Sequence, residues 1–282
     1  MQLRDFLRQD EPCPGFRRLE ARFHGHAYDP HRHDCYAIGV TRAGVQAFNY
    51  RGAERASGAG QTMVLHPDES HDGHAAAADG FAYRMIYVDP ALVCAALGGS
   101  APPFVREAVA QDDELAAIID EAFEDFPHAP SPMAVDGMIA RLADALDRRS
   151  DRYPARGNSR HSLTAAERAR QLLEEATDPA ISSADLERAA GLDRYALARA
   201  FRAAFGSSPH RYLVARRVAR AQRLLATGAS LAEAAAGAGF ADQSHFTRHF
   251  KAHLGLTPGR YIGLQRAALK SSLARRSIGS TE

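Results

Sequence analysis

The chain has 282 residues, enough for two domains that each bury a core, and 35 Lys and Arg against 34 Asp and Glu give a net charge of +1. No apolar stretch approaches the roughly 18 residues of a membrane helix, and the opening MQLRDFLRQDEPCPGF lacks a signal peptide's apolar centre, so a cytoplasmic protein with no membrane partner is expected. Cys13, Cys35 and Cys94 stand far apart without a CxxC pair, which argues against a disulfide framework or a structural zinc knuckle. The charge is divided unevenly. Residues 1–162 hold 17 Lys and Arg and 24 Asp and Glu, a net −7, whereas residues 163–282 hold 18 and 10, a net +8. A basic half joined to an acidic half predicts a polyanion partner for one end and a different task for the other.

The first hundred residues contain short β-branched or aromatic runs broken by glycine: YAIGVTRAG, VQAFNYRG, QTMVLHP and FAYRMIYVDP. This spacing predicts consecutive antiparallel strands with tight turns. Helical periodicity follows at about 112–126 (Leu115, Ile118, Ile119, Ala122, Phe123) and 134–149 (Met138, Leu142, Ala145, Leu146). The polar segment RRSDRYPARGNSRHS, with its proline and glycine, predicts a linker at 151–162. Beyond it the pattern is helical throughout. Thr164 with Glu167 reads as a capping box for a first helix whose stripe is Ala169, Leu172, Leu173 and Ala176. A short helix capped by Ser183 and stopped by Gly191 precedes one capped by Asp193, with Leu197, Ala200, Phe201 and Ala204 inward. Pro209 opens a long helix, Ser230 with Glu233 caps another short one, and Asp242 caps a helix with Phe246, His249, Phe250 and Leu254 inward.

Helix, glycine turn and helix is the pattern of a helix-turn-helix reader, and here it occurs twice. Phe201-Arg-Ala-Ala-Phe-Gly206-Ser-Ser-Pro209-His-Arg-Tyr212 aligns with Phe250-Lys-Ala-His-Leu-Gly255-Leu-Thr-Pro258-Gly-Arg-Tyr261, so phenylalanine, glycine, proline, arginine and tyrosine all recur. Two copies indicate a duplicated module rather than a solenoid.

The segment from Gly239-Phe240 through Phe246, Phe250, Gly255 and Pro258 to Tyr261 resembles the signature of AraC/XylS transcription regulators, and the resemblance covers roughly 165–263. It implies seven helices, two readers bridged by one long helix, and a recognition helix from each in successive major-groove turns, about 34 Å apart. Away from the apolar stripe, the first recognition helix presents Tyr195, Ala198, Arg199 and Arg202, the second Gln243, Ser244, His245, Thr247, Arg248 and Lys251. Arg199 and Arg248 occupy equivalent places and suit guanine, Gln243 suits adenine, and Arg202 and Lys251 at the helix ends suit phosphate. The first copy, with its small Ala198, offers fewer base-reading groups than the second.

The first half resembles the cupin-like sensor that precedes such readers. Gly25, His31-Arg-His33 and Gly44 match the first cupin motif in part, but Ala37 or Ile38 stands where cupin enzymes carry a glutamate ligand, and the second motif survives only as Gly60, Pro67 and His71. His31, His33 and Cys35 share one strand face, and His71 can join them around a divalent metal such as zinc or copper, or the same groups can line a small-molecule pocket with Arg84 and His74. The resemblance further implies promoter DNA, RNA polymerase and a second copy of the chain as partners, with residues 1–20 as a regulatory arm and the two helices after the strands either pairing copies or covering the barrel.

The expected fold class is therefore α+β: a cupin-like β-barrel with two accessory helices in 1–150, the linker 151–162, an all-α double helix-turn-helix domain in 163–265 and a tail in 266–282. The expected function is a small-molecule-controlled transcriptional activator without a required cofactor. Its alternatives are a metal or thiol sensor using His31, His33, Cys35 and His71, and a cupin enzyme fused to a DNA-binding domain. No GxSxG elbow, Walker loop or HExxH helix points to another enzyme.

Overall fold

A computed structural model describes residues 4–124, 126–151, 160–175 and 181–278. Among the described residues there are nine strands: β1 (Phe6–Cys13), β2 (Phe16–Phe23), β3 (His26–His31), β4 (Tyr36–Tyr50), β5 (Ala53–Gly58), β6 (Thr62–Leu65), β7 (His71–Ala75), β8 (Phe81–Val88) and, after one short helix, β9 (Val109–Ala110). Their spatial order is β1-β2-β8-β4-β6-β9, while β4 also pairs with β5 and β7, and β3 closes on β7. All pairings are antiparallel.

Two expectations change here. YAIGVTRAG and VQAFNYRG are not two strands with a turn at Gly44 but the single strand β4. Its pairing with β8 slips between Thr41 and Ala43, and Gly44 at φ +67° passes so close to Gly80 that a Cβ would come 1.9 Å from the Gly80 carbonyl oxygen. The strand bends there and trades β8 and β6 for β5 and β7, which turns one sheet into a closed barrel. Residues 6–13, expected within an arm, are instead β1, registered on β2 from Phe6 opposite Arg22 to Cys13 opposite Phe16. FLRQDEPC carries too little apolar alternation to announce a strand; only Leu7 is buried.

The two faces of the sheet have separate roles. Leu19, Ala21 and Phe23 of β2 point into the barrel with Phe81, Tyr83 and Met85 of β8, whereas Phe16, Ile86 and Val88 point outward. On the outer face lie α1 (Pro90–Ala96), α2 (Asp113–Ala122) and α3 (Pro132–Arg149). The short α1, capped by Asp89 with Pro90 in its first turn, directly follows the run FAYRMIYVDP and is not among the expected helices. Met138 and Leu142 of α3 are buried with Ile118 and Ile119 of α2 against Ile38 and Ile86. Each such side chain contributes about 1.5–3 kcal/mol by leaving water, so these apolar faces cover the barrel and are not open to a second copy.

Seven helices follow among the described residues: α4 (Arg160–Glu175), α5 (Ser183–Ala190), α6 (Arg194–Phe205), α7 (Pro209–Ala226), α8 (Leu231–Gly237), α9 (Gln243–Leu254) and α10 (Pro258–Ile278). Asp193 and Asp242 cap α6 and α9, Ser230 and Glu233 form the expected box on α8, and Gly191, Gly206 and Gly255 end α5, α6 and α9 in the left-handed conformation. Two caps move. Ser182, not Ser183, caps α5 in a box with Asp185, and α4 begins before Thr164, which sits inside it. Most of the expected linker (152–159), Ala176 and the last residues of the expected tail lie outside the described residues, while α10 continues past 265.

Candidate nucleic-acid interface and barrel cavity

The two recognition helices bury one face and offer the other. In α6, Leu197, Phe201, Ala204 and Phe205 pack with Ala165, Ala169 and Leu173 of α4 and with Tyr212, leaving Tyr195, Ala198, Arg199 and Arg202 exposed. Tyr195 is 70% exposed, a large aromatic surface left to water. In α9, Phe246 and Phe250 are buried and Gln243, Ser244, Arg248 and Lys251 are exposed. His245 and Thr247 are half-buried; the His245 ring packs edge-on against His249, centroids 4.5 Å apart, and its Nδ1 is buried without a hydrogen-bond partner.

The barrel holds both readers by their cationic ends. Lys251 Nζ lies 2.9 Å from Asp29, Arg202 lies 3.9 Å from Asp68, Arg211 at the start of α7 also pairs with Asp68, and Arg216 of α7 pairs with Asp34 at 3.1 Å. Burial works to raise the Asp34 carboxyl, but Arg216, His253 and Arg17 outweigh it and hold it below the usual carboxylate range. Backbone joins backbone as well: Asp29 N donates to Gly255 O (3.0 Å) and Arg32 N to Ala252 O (3.1 Å). The side chains expected to meet phosphate, Arg202 and Lys251, thus meet barrel carboxylates in this arrangement.

Inside the barrel His31, His33 and His71 come together, with ring centroids 4.2, 4.8 and 6.1 Å apart. Their Nδ1 atoms engage the carbonyls of Asp29, Cys35 and Glu69 at 2.8–3.1 Å, and His33 Nε2 is buried without a partner. Burial pushes His31 down to about 4, His33 to about 3 and His71 well below the ordinary histidine value, so all three are neutral at pH 7. The cavity beside them measures about 50 Å³, and His253, Leu254, Leu256 and Tyr261 of the second reader close it. A larger cleft, about 830 Å³, runs between β1–β2 and α7–α10. At its wall Tyr261 Oη gathers the amides of Gln9 (2.7 Å), Gln222 (3.2 Å) and Gln265 (2.7 Å), one from the barrel and two from the helices.

A barrel seated on two duplicated readers is an arrangement that known proteins share. Residues 14–143 match the model of the AraC-like ligand binding domain, and residues 186–263 match a helix-turn-helix domain. The chain belongs to the AraC/XylS family. As such it is a DNA-binding transcriptional regulator with an N-terminal ligand-binding domain. An uncharacterized HTH-type transcriptional regulator of Bacillus subtilis strain 168, YbfI, is 26% identical over 219 residues, spanning 76% of this chain and 80% of that one. ToxT from Vibrio cholerae O395 superposes with a TM-score of 0.63 at 12% identity over 89% of this chain and 98% of its own. ToxT of strain SCE256, solved with an unsaturated fatty acid bound, gives 0.65 at 13% identity over 90% and 97%. At such identity the likeness speaks to the fold alone.

For this AraC/XylS regulator several expected ligand residues take other positions. Arg84 is not a pocket residue: alternation on β8 sends it to the outer face, where it binds Glu20 (3.2 Å) and Asp120 (3.4 Å) over the ring of Phe123. His74, on β7, is partly exposed beside Glu54 at 3.6 Å. The divalent-metal expectation for His31, His33 and His71 is corrected as well. Among the described residues no group of three or more His, Cys, Asp or Glu side chains is placed to hold a metal ion. The imidazoles pack ring to ring, and Ala37 fills the inward position where a glutamate would complete the set. Cys35 turns its sulfur to Arg17 (3.6 Å), and burial pushes its thiol up to about 12. Sequence reasoning missed Arg17, Tyr83, Tyr87, Gln222, His253 and Tyr261, which line the barrel cavity, the cleft or both. One signal was available: His253 stands where the first copy has Ala204.

Proposed function

We propose that the chain is a homodimeric, effector-controlled activator that reads promoter DNA through α6 and α9 and works with RNA polymerase in the cytoplasm, not as an enzyme. The observation that carries it is the pairing of two exposed polar faces with barrel carboxylates that occupy the readers' cationic ends. Arg199 and Arg248 take guanine, with Tyr195, Ala198, Gln243, Ser244, His245 and Thr247 contacting neighbouring bases, and Arg202 and Lys251 move from Asp68 and Asp29 to phosphate when the barrel lets go. The effector and dimerisation unit is 1–150, the reading unit 163–265, joined by 151–162 and followed by the tail 266–282. Dimerisation, activation and the polymerase contact rest on family membership; among the described residues no helix is long and apolar enough to cross a membrane.

The test is selection of bound duplexes from a random pool, followed by anisotropy titration of Arg248→Ala. The variant loses about 1–3 kcal/mol at the selected site and its preference at one base. A pool without a consensus, or a variant with unaltered base preference, overturns the reading.

A further inference from the structure

Two rings of the second reader have no counterpart in the first. His245 and His249 stand one turn apart on α9, where the aligned positions of α6 are Ala196 and Ala200. Alanine thus satisfies the packing of such a helix, and the imidazoles are surplus to it. Both are half-buried. The His249 ring stacks on Phe240 with centroids 6.0 Å apart and meets the His245 ring at 4.5 Å. Burial first, and then the charges of His245, Arg248, His210 and Arg217, hold His249 below the ordinary histidine value, so it is neutral at pH 7. His210 and Arg217 belong to α7, and the four charged neighbours are all cationic. Among the described residues no carboxylate pairs with His210, Arg248 or His249. The other charged groups packed around α9 are engaged away from this corner. Asp242 caps His245 N, Asp29 of β3 pairs with Lys251 and His26, Glu233 of α8 accepts from Ser230, and Arg260 of α10 donates to the His26 carbonyl, while His31 and His253 turn into the barrel.

The two rings do not take a proton equally. His245 Nδ1 is buried without a partner, so a proton there would be a donor with no acceptor. A cation at His249 rests instead against the Phe240 ring. We propose that His249 is a proton-linked phosphate contact, which takes up a proton as DNA binds and holds the backbone where it passes between the two readers, beside His210 and Arg217. This rests on the reading of DNA through α6 and α9 above, because the start of α7 joins the two readers and meets the strand between their grooves. A phosphate supplies the anion that this cationic corner lacks, and a charge-assisted imidazolium–phosphate bond offsets the cost of protonation. A divalent metal would find two rings and the repulsion of Arg217 and Arg248. Since a bound phosphate raises the hold of His249 on its proton, the added DNA affinity is full in acid and is lost as pH rises through the value reached in the complex.

Fluorescence anisotropy of the full chain with a selected duplex, over a series of salt concentrations at about pH 6.0 and about pH 7.5, tests this. Affinity is about three- to tenfold higher at the lower pH, and the plot of log K against log salt is steeper there by about 0.9, one further phosphate. His249→Gln loses both differences, and His249→Arg shows the steeper slope at both pH values. His74→Gln, on β7 beside Glu54, keeps both differences. Should His249→Gln not fold by circular dichroism, His249→Arg decides alone. Equal slopes at the two pH values in the unmodified chain, a pH difference that survives in either variant of His249, or one lost in His74→Gln each overturns the proposal. A selection without a consensus removes the DNA reading and this contact together, whereas a consensus bound with no pH difference removes the contact only.

Discussion

Freeing the readers from the barrel carboxylates should raise DNA affinity without effector. Asp68 has a side chain only 10% exposed and pairs with Arg211 and Arg202, and Asp29, 41% exposed, pairs with Lys251. Exposed pairs are worth about 0.2–1 kcal/mol each, and the less exposed Asp68, serving two arginines, adds more. Removing both carboxylates weakens docking by about 1–3 kcal/mol, roughly 5- to 150-fold in the balance of closed and open forms. Apparent affinity scales with the fraction of chains free to bind, so Asp29→Asn/Asp68→Asn should bind a selected duplex more tightly by up to that factor. The double variant also makes the chain more positive, which alone favours DNA. Glu107→Gln/Asp144→Asn, two exposed positions before β9 and on α3, matches the charge change without touching the readers. Fluorescence anisotropy at one fixed salt concentration compares the two. If the clamp variant binds no more tightly than its charge-matched control, the carboxylates do not restrain the readers.

Two further outcomes follow from the same contacts. Gly191 and Gly255 both end helices at φ +67°, but a Cβ on Gly191 meets nothing within 4 Å while one on Gly255 comes 2.7 Å from Asp29 O and 2.7 Å from His31 Nδ1. Gly191→Ala should cost about 1–2 kcal/mol for the backbone conformation, and Gly255→Ala about 1–3 kcal/mol beyond that for overpacking; equal urea midpoints would mean that β3 does not sit on α9 in solution. His31, His33, His71 and His253 are all held neutral by burial, His253 at about 4. The unfolded chain takes up their protons near pH 6.5, the folded chain only at about 4 for His31 and His253, at about 3 for His33 and well below the ordinary histidine value for His71. Stability is therefore full above about pH 6.5 and falls on acidification toward pH 4, by up to about 1.4 kcal/mol per pH unit for each histidine. A urea midpoint that stays level from pH 6.5 to 4.5 would show these rings open to water.

The readers were legible because their signals are local. Asp193, Asp242 and the Ser230–Glu233 box act within one helical turn, and the glycines at 191, 206 and 255 stop helices by their own conformation. The barrel was legible as strands but not in its parity. Arg17 and Arg18 are adjacent and indistinguishable in sequence, yet β2 turns one inward and the other to Asp10 and the carbonyl of Ala122. Arg84 fails for the same reason, since one residue along β8 exchanges the cavity for the outer face. Beyond His253 standing where the first copy has Ala204, the docking of barrel on readers had no sequence signal. Asp29, Asp34 and Asp68 belong to no motif in the sequence, and only the fold brings them to Lys251, Arg216 and Arg211.

The duplicated module explains why the two readers respond unequally to the barrel. Equivalent tyrosines face different partners: Tyr212 Oη donates to Glu174 of α4 at 2.7 Å, whereas Tyr261 Oη accepts from Gln9 of β1 at 2.7 Å. Where the first copy buries Ala204 in its own core, the second sends His253 into the barrel's mouth. The first reader accordingly closes a core of its own with α4. The second shares one continuous core with the barrel, from Leu19, Phe23 and Tyr83 through Phe246 and Phe250 to Leu264. Close-packed interiors resist gradual deformation, so a change inside the barrel is felt at once in α9, while α6 meets the N-terminal half at its margins, through Asp68, the contact of Gly206 with Pro67 and α1, whose Cys94 Sγ donates to Ala204 O at 3.6 Å. The helix carrying the richer set of base-reading candidates, Gln243 through Arg248, is thus the one whose position the effector domain controls most directly.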